Sequence, residues 1–230
     1  MNKIKAESLS EFIECTDGFD LISDLVIFRG QAFAGGLLPG IARKDRKVDT
    51  TVQERMVLDQ LSLLGASFPE MQQPTDLDRL VVAQHFGLKT RLLDWTSNPL
   101  VALWFACQDR QTGDAFVYAL EADTLQKEGL YGRDPFKVDV TRAFQPRLNN
   151  PRILAQHGWF TLHRFSQRSK AFVPLDTNPT TVKHLTEIRI PAERRSLILD
   201  SLYRHGISRR TLFPDMEGLC TFMNWRSKLA

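Results

Sequence analysis

Short apolar runs alternate with polar joints along the chain, and their spacing predicts its elements. The most informative stretch runs from His85 to Ala106. Gly87 supplies the left-handed residue that ends a helix after His85. Leu92, Leu93 and Trp95 predict a short buried strand. Asn98 is a natural N-cap and Pro99 a natural first helical residue. Leu100, Val101, Leu103, Trp104 and Phe105 then follow, apolar on nearly every side, which predicts a central, buried helix.

The same reading extends in both directions. Ser8-Leu9-Ser10-Glu11 fits a capping box that opens a helix, and Thr51-Val52-Gln53-Glu54 fits another, which explains Glu54 as a cap. Leu25 to Phe28 reads as a buried strand ending in Arg29-Gly30-Gln31, and residues 32–49, with Gly35-Gly36 and Pro39-Gly40, read as a basic loop. Thr75 and Asp78 cap the helix that delivers His85. Further strands are expected at Ala115–Leu120, Phe136–Val140, Trp159–Phe165 and Lys183–Ile190. A helix after Pro191 ends at Gly206, and Asp215 caps a last one. The pattern is mixed α and β.

Composition narrows the class. At 230 residues and 43% hydrophobic content, the chain is long enough for one large or two small globular units. No apolar run approaches the roughly 20 residues of a membrane span, and the first residues lack a signal-peptide core. Cys15, Cys107 and Cys220 are odd in number and far apart, which points to a reducing, cytoplasmic setting without a disulfide framework. The histidines are scattered, so no metal site is expected. The net charge of +3 is modest, but residues 141–174 hold no Asp or Glu. That stretch carries Arg142, Arg147, Arg152, Arg164, Arg168 and Lys170 among Phe144, Trp159, Phe160, Phe165 and Phe172. Cations interleaved with aromatics suit phosphates and stacked bases, although a solvated basic face over core aromatics has the same composition.

The candidate chemistry sits at joints between buried elements. Arg29, at a strand end before a glycine, can grip an anion or pair with a core carboxylate. His85, Thr90, Arg91, Asp94, Thr96 and Ser97 bracket one strand, where short loops on a rigid core often hold function. The structural alternative makes Asp94, Thr96 and Ser97 caps and pairs Arg91 with Asp94. The chain has no Walker A loop, Rossmann glycine fingerprint, nucleophile elbow or His-Glu-x-x-His.

These residues, in order, resemble the FRG domain family. The matching blocks are Phe28-Arg29-Gly30 with Gln31, then Gln84-His85-Phe86-Gly87, Thr90-Arg91-Leu92-Leu93-Asp94-Trp95-Thr96, Asn98-Pro99 and Ala102–Ala106. A third block runs from Arg152-Ile153 through Gln156-His157-Gly158-Trp159-Phe160, and a fourth spans Gly206 to Leu219. Glu54 resembles the family's acid before the helix. The resemblance implies one domain over residues 1–230 and a looser relation to ADP-ribosyltransferases, including toxins and phage-defence effectors. The implied fold is α+β, a split mixed β-sheet core with flanking helices. The implied activity is ADP-ribosyl transfer from NAD, without a metal, to RNA, DNA or a protein, with an antitoxin or regulatory partner and no membrane.

Under that resemblance Arg29, Glu54, Asp94 and Gln156 are the catalytic candidates. Arg29, Gly30, Gln31, His85, Thr90, Arg91, Trp95, Thr96, Ser97 and Trp159 are the NAD-binding candidates. The later strand offers Gln156 where such enzymes carry a Glu. Two other readings stand beside this one: a nucleotide- or nucleic-acid-binding module without turnover, and a metal-independent nuclease built on His85 and Asp94.

Overall fold

The computed structural model describes residues 1–19, 23–34, 36–72, 75–108, 113–126, 129–148 and 150–229; Gly35 of the expected basic loop lies outside them. The strands are β1 (Asn2–Lys5), β2 (Val26–Gln31), β3 (Leu92–Thr96), β4 (Ala115–Glu121), β5 (Arg142–Phe144), β6 (Gly158–Leu162), β7 (Phe165–Ser166), β8 (Ala171–Phe172) and β9 (Leu185–Ile190). The helices are α1 (Leu9–Asp17), α2 (Thr51–Leu64), α3 (Asp76–His85), α4 (Pro99–Cys107), α5 (Pro151–Ala155), α6 (Arg195–Arg204), α7 (Arg209–Leu212) and α8 (Met216–Arg226).

Seven strands form one mixed sheet in the order β1-β9-β4-β2-β3-β6-β5, and β7 pairs with β8 alone. Only the β1–β9 pairing is parallel among these. The sheet parts in its middle. Six residues of β2 pair with β4, and five of β3 pair with β6, but β2 and β3 meet only where Phe28 faces Thr96. Beyond that bridge the strands separate and a cleft opens.

Period-two alternation fills both faces of the sheet. Val26 and Phe28 pack with Val117, Ala119, Ile188 and Ile190 beneath α1, α4 and α6. Ile27, Tyr118 and Leu120 point to the opposite face, with Leu93 and Trp95. A third cluster joins α2 and α3 to Leu92, Phe144, Phe160 and Leu162. The central helix α4 buries Val101, Ala102, Leu103, Trp104, Ala106 and Cys107, as its all-round apolar pattern predicts. It sits so close to β2 that a Cβ on Gly30 would lie 1.9 Å from the Ala102 carbonyl oxygen. Glycine is therefore required for backbone to meet backbone here.

The local caps agree with the sequence. Ser8 Oγ accepts the Glu11 N–H, Thr75 Oγ1 the Asp78 N–H, Asn98 Oδ1 the Leu100 and Val101 N–H groups, and Asp215 Oδ1 the Gly218 N–H. Gly87 takes the expected left-handed conformation at φ 91°.

Three expectations are corrected. Residues 136–140 form no strand: Asp134 accepts the Phe136 N–H and Pro135 starts a 3-10 turn. Residues 2–5, assigned to no element by the sequence pattern, are an edge strand held by β9. Thr51 opens no capping box, because the helix is preceded by Thr50 and Glu54 turns inward to Arg91.

Candidate functional site

A pocket of about 840 Å³ opens where β2 and β3 part. That volume lies in the range of small-molecule and cofactor sites. Arg29, Gly30 and Gln31 reach it from β2, and Asp94, Trp95 and Thr96 from β3. Gln84 and His85 enter from the end of α3, Ala102 and Phe105 from α4, and Arg152 and Gln156 from the α5 region. Arg43 and Phe33 lie on the loop after β2, and Phe213 follows α7. Asp94 is the one carboxylate of this lining among the described residues, against the guanidinium groups of Arg29, Arg43 and Arg152.

Arg29 spans the parted strands. Its Nη1 donates to the Asp94 carbonyl oxygen at 2.8 Å, and its Nε donates to Gln31 Oε1 at 3.1 Å. The carbonyl of Asp94 has lost its ladder partner at the split, so the guanidinium supplies the hydrogen bond that β2 cannot. The same Nη1 lies 3.7 Å from Asp94 Oδ2. Burial draws the Arg29 pKa down to about 10, against the pull of Asp94, so the group stays cationic at neutral pH.

Asp94 is fixed from the other side. Gln84 Nε2 donates to both of its carboxylate oxygens at 3.2 and 3.1 Å. Thr90 Oγ1 donates to Gln84 Oε1 at 2.8 Å, which sets the amide's orientation. Gln84 was not among the expected site residues, although its spacing from His85 places it on the last turn of the same helix. The Asp94 side chain is 54% exposed, so the carboxylate is both oriented and reachable.

His85 accepts a hydrogen bond at Nε2 from Asn150 Nδ2 at 3.3 Å, since Asn150 Oδ1 already receives the Arg152 N–H. Burial and then the Arg152 charge hold its pKa below the ordinary histidine value, so the ring is neutral at pH 7. Arg152 itself pairs with Asp215 at 3.0 Å and lies 4.9 Å from the centre of the Phe213 ring. Gln156 donates to the Leu212 carbonyl and brings no charge.

Five expected site residues lie behind or outside the pocket. Glu54 and Arg91 form a buried pair, Nε to Oε2 at 2.8 Å, and Glu54 Oε1 also takes the Arg91 N–H. The Arg91–Asp94 bridge of the structural alternative is therefore replaced by Arg91–Glu54 and Arg29–Asp94. Burial pushes the Glu54 carboxyl up while Arg91 opposes it. Thr90 is fully buried and acts through Gln84. Ser97 is exposed outside the lining, and its N–H donates to the His157 carbonyl. Trp159 packs against the core cluster of Trp95 rather than on the pocket.

Trp95 does line the pocket, but it is 4% exposed and its indole N–H donates to Thr161 Oγ1, so no open ring face is offered. The rings with access are Phe33, Phe105 and Phe213. Sequence alone could not gather these, because they come from three distant segments.

Three of the six cations of the acid-free stretch meet acidic partners. Arg142 pairs with Asp139, Arg147 approaches Asp78, and Arg152 pairs with Asp215, all acids from outside the stretch. Among the described residues, no group of three or more His, Cys, Asp or Glu is placed to hold a metal, and no helix is long and apolar enough to cross a membrane.

No curated protein and no solved structure matches the chain. One family model does, over residues 24–115, ending before the third and fourth blocks noted above. The matched segment includes Arg29, Gly30, Gln84, His85 and Asp94. Over residues 24–115 the chain matches the FRG domain.

Proposed function

We propose that the pocket binds NAD and that the protein transfers ADP-ribose from it to an acceptor. The observation that carries this reading is the pocket's make-up: one oriented carboxylate, three guanidinium groups and exposed aromatic rings around about 840 Å³. Guanidinium groups suit a pyrophosphate, and aromatic rings suit flat heterocycles. Arg29 and Arg43 take the phosphates, with Phe105 and Phe213 beside the rings. Asp94 receives a ribose hydroxyl and offsets the positive charge that grows on the sugar. The bond from ribose C1′ to the nicotinamide nitrogen breaks, and its electron pair leaves with nicotinamide. The acceptor's nucleophile then bonds to C1′ and gives up a proton.

The Asp94 carboxylate takes the role that the missing Glu would have had, and Gln84 keeps it pointed into the cleft. The test is release of nicotinamide from labelled NAD, with Arg29→Ala and Asp94→Asn beside the parent protein. Release lost in both variants supports the reading. NAD bound without release supports the binding module instead, a reading favoured by the occupation of Asp94 by Gln84 and by the uncharged Gln156. RNA cut without NAD points to the nuclease.

A further inference from the structure

Arg164, Arg168 and Lys170 are the other three cations of the acid-free stretch, and the fold sets them beside the basic loop after β2. The β7–β8 hairpin packs on that loop. The Phe172 N–H donates to the Arg46 carbonyl at 2.8 Å, and Gln167 Nε2 donates to Asp49 Oδ2 at 3.2 Å. Lys44, Arg46 and Lys47 therefore share one surface with Arg168 and Lys170, all five exposed, with Arg164 half-buried at its base. Among the described residues none of these six forms an ion pair, whereas Arg142, Arg147 and Arg152 each do.

The acids within this surface are already engaged. Asp45 accepts the Lys47 N–H, and Asp49 accepts the Thr51 N–H as well as the Gln167 amide. Lys170 adds a second, separate observation. It stands in the left-handed region at φ 49°, where glycine or asparagine costs less, so the hairpin tip carries a charge at a backbone position that disfavours lysine. Like charges gathered without internal partners repel one another and attract an anion.

We infer that this surface binds the phosphate backbone of a single-stranded nucleic acid. The six cations lie outside the pocket lining, so this occupant is independent of the ligand the pocket takes. Across residues 43–49 and 164–172, Val48 is the one large apolar side chain that stands exposed. A protein partner needs an apolar or aromatic centre to its interface, and a lipid surface needs apolar groups to insert; one valine supplies neither. Phosphates need only the cations. Arg43 begins the basic run and lines the pocket together with Phe33, whose ring is half exposed. A ring at one end of a cationic track stacks an unpaired base, which a duplex does not offer.

The experiment follows fluorescence anisotropy of labelled oligouridine and oligothymidine with the full chain, with duplex DNA and polyglutamate as competitors. Both strands should bind, because phosphates and ring faces are common to RNA and DNA. Five exposed cations on phosphates give a slope of log K against log salt of about −3.5, or about a hundredfold loss between about 50 and 200 mM salt. Lys47→Ala and Arg168→Ala should each flatten that slope by about 0.7, with unchanged melting temperature. Lys170→Gly should weaken binding while the melting temperature holds or rises, since glycine suits the left-handed backbone; a lysine with a structural role alone would leave binding unchanged. Phe33→Ala should weaken the single strands about fivefold or more. No binding at low salt, or a salt slope that Lys47→Ala and Arg168→Ala leave untouched, overturns the inference. So does duplex DNA bound more tightly than either strand, polyglutamate displacing the strand at equal charge, or full affinity in Phe33→Ala. All of these are read without NAD, so they leave the reading of the pocket to its own test.

Discussion

At the scale of single residues, the site depends on where two charges are held. Arg29 keeps two structural hydrogen bonds while facing the pocket, so its removal affects both ligand and cleft. Charge-assisted hydrogen bonds contribute roughly 1.5–3 kcal/mol each, so Arg29→Ala should weaken NAD binding about tenfold to a hundredfold, read by calorimetry, with a modest fall in melting temperature. Asp94→Asn keeps the shape and removes the charge. Nicotinamide release should fall on the order of a hundredfold to a thousandfold, with NAD binding unchanged or tighter; unchanged release would remove Asp94 from the chemistry. His163 offers a cleaner pH test. It is buried next to Thr161, and burial together with Arg29 and Arg91 draws its pKa down to about 3. The folded state thus disfavours the charged ring. The stability this provides is complete above the ordinary value near 6.5 and is lost as pH falls toward 3. His163→Gln should therefore flatten the loss of urea resistance between about pH 6.5 and 4.

At the scale of elements, close packing and buried pairing set the limits. Gly30→Ala pushes a methyl group into the α4 backbone, and overpacking of this kind costs about 1–3 kcal/mol or more. Circular dichroism melts should show a lower midpoint even though Arg29 is untouched. Glu54→Gln strands the Arg91 charge beneath the sheet, at a cost of roughly 3–5 kcal/mol; a variant as stable as the parent would show that the pair is dispensable. The same two elements show what the sequence could and could not reveal. Caps at Ser8, Thr75, Asn98 and Asp215 were legible because donor and acceptor lie within three residues. The partner of Arg91 was not, because Glu54 lies 37 residues away and the nearer Asp94 is the obvious choice. The false strand at residues 136–140 has a local cause, since the Asp134-Pro135 turn overrides an alternating pattern. The strand at residues 2–5 is short, polar and at the edge, so it carries almost no apolar signal.

At the scale of the whole molecule, the cleft comes from the parting of one sheet, and the lining comes from most of the chain. Arg29, Asp94 and His85 were legible because they lie inside dense motifs. Arg43, Arg152 and Phe213 were not, because only the fold brings them together. The sheet order also interleaves early and late strands. The FRG segment supplies β2 and β3 and reaches only the first residue of β4. β6, which borders β3, and β9, which borders β4, both come later in the chain. Residues 24–115 expressed alone should therefore expose two open sheet edges and aggregate, whereas a chain carried through β9 and α8 should stay monodisperse in light scattering. The parallel contact of residues 2–5 with residues 186–189 bears on synthesis as well. A ribosome releases residues 2–5 well before residues 186–189, their neighbour in the described sheet, so the first strand waits unpaired while the residues between them are made. Until α7 and the residues just after it emerge, the nascent chain lacks Phe213 and cannot present a finished cleft.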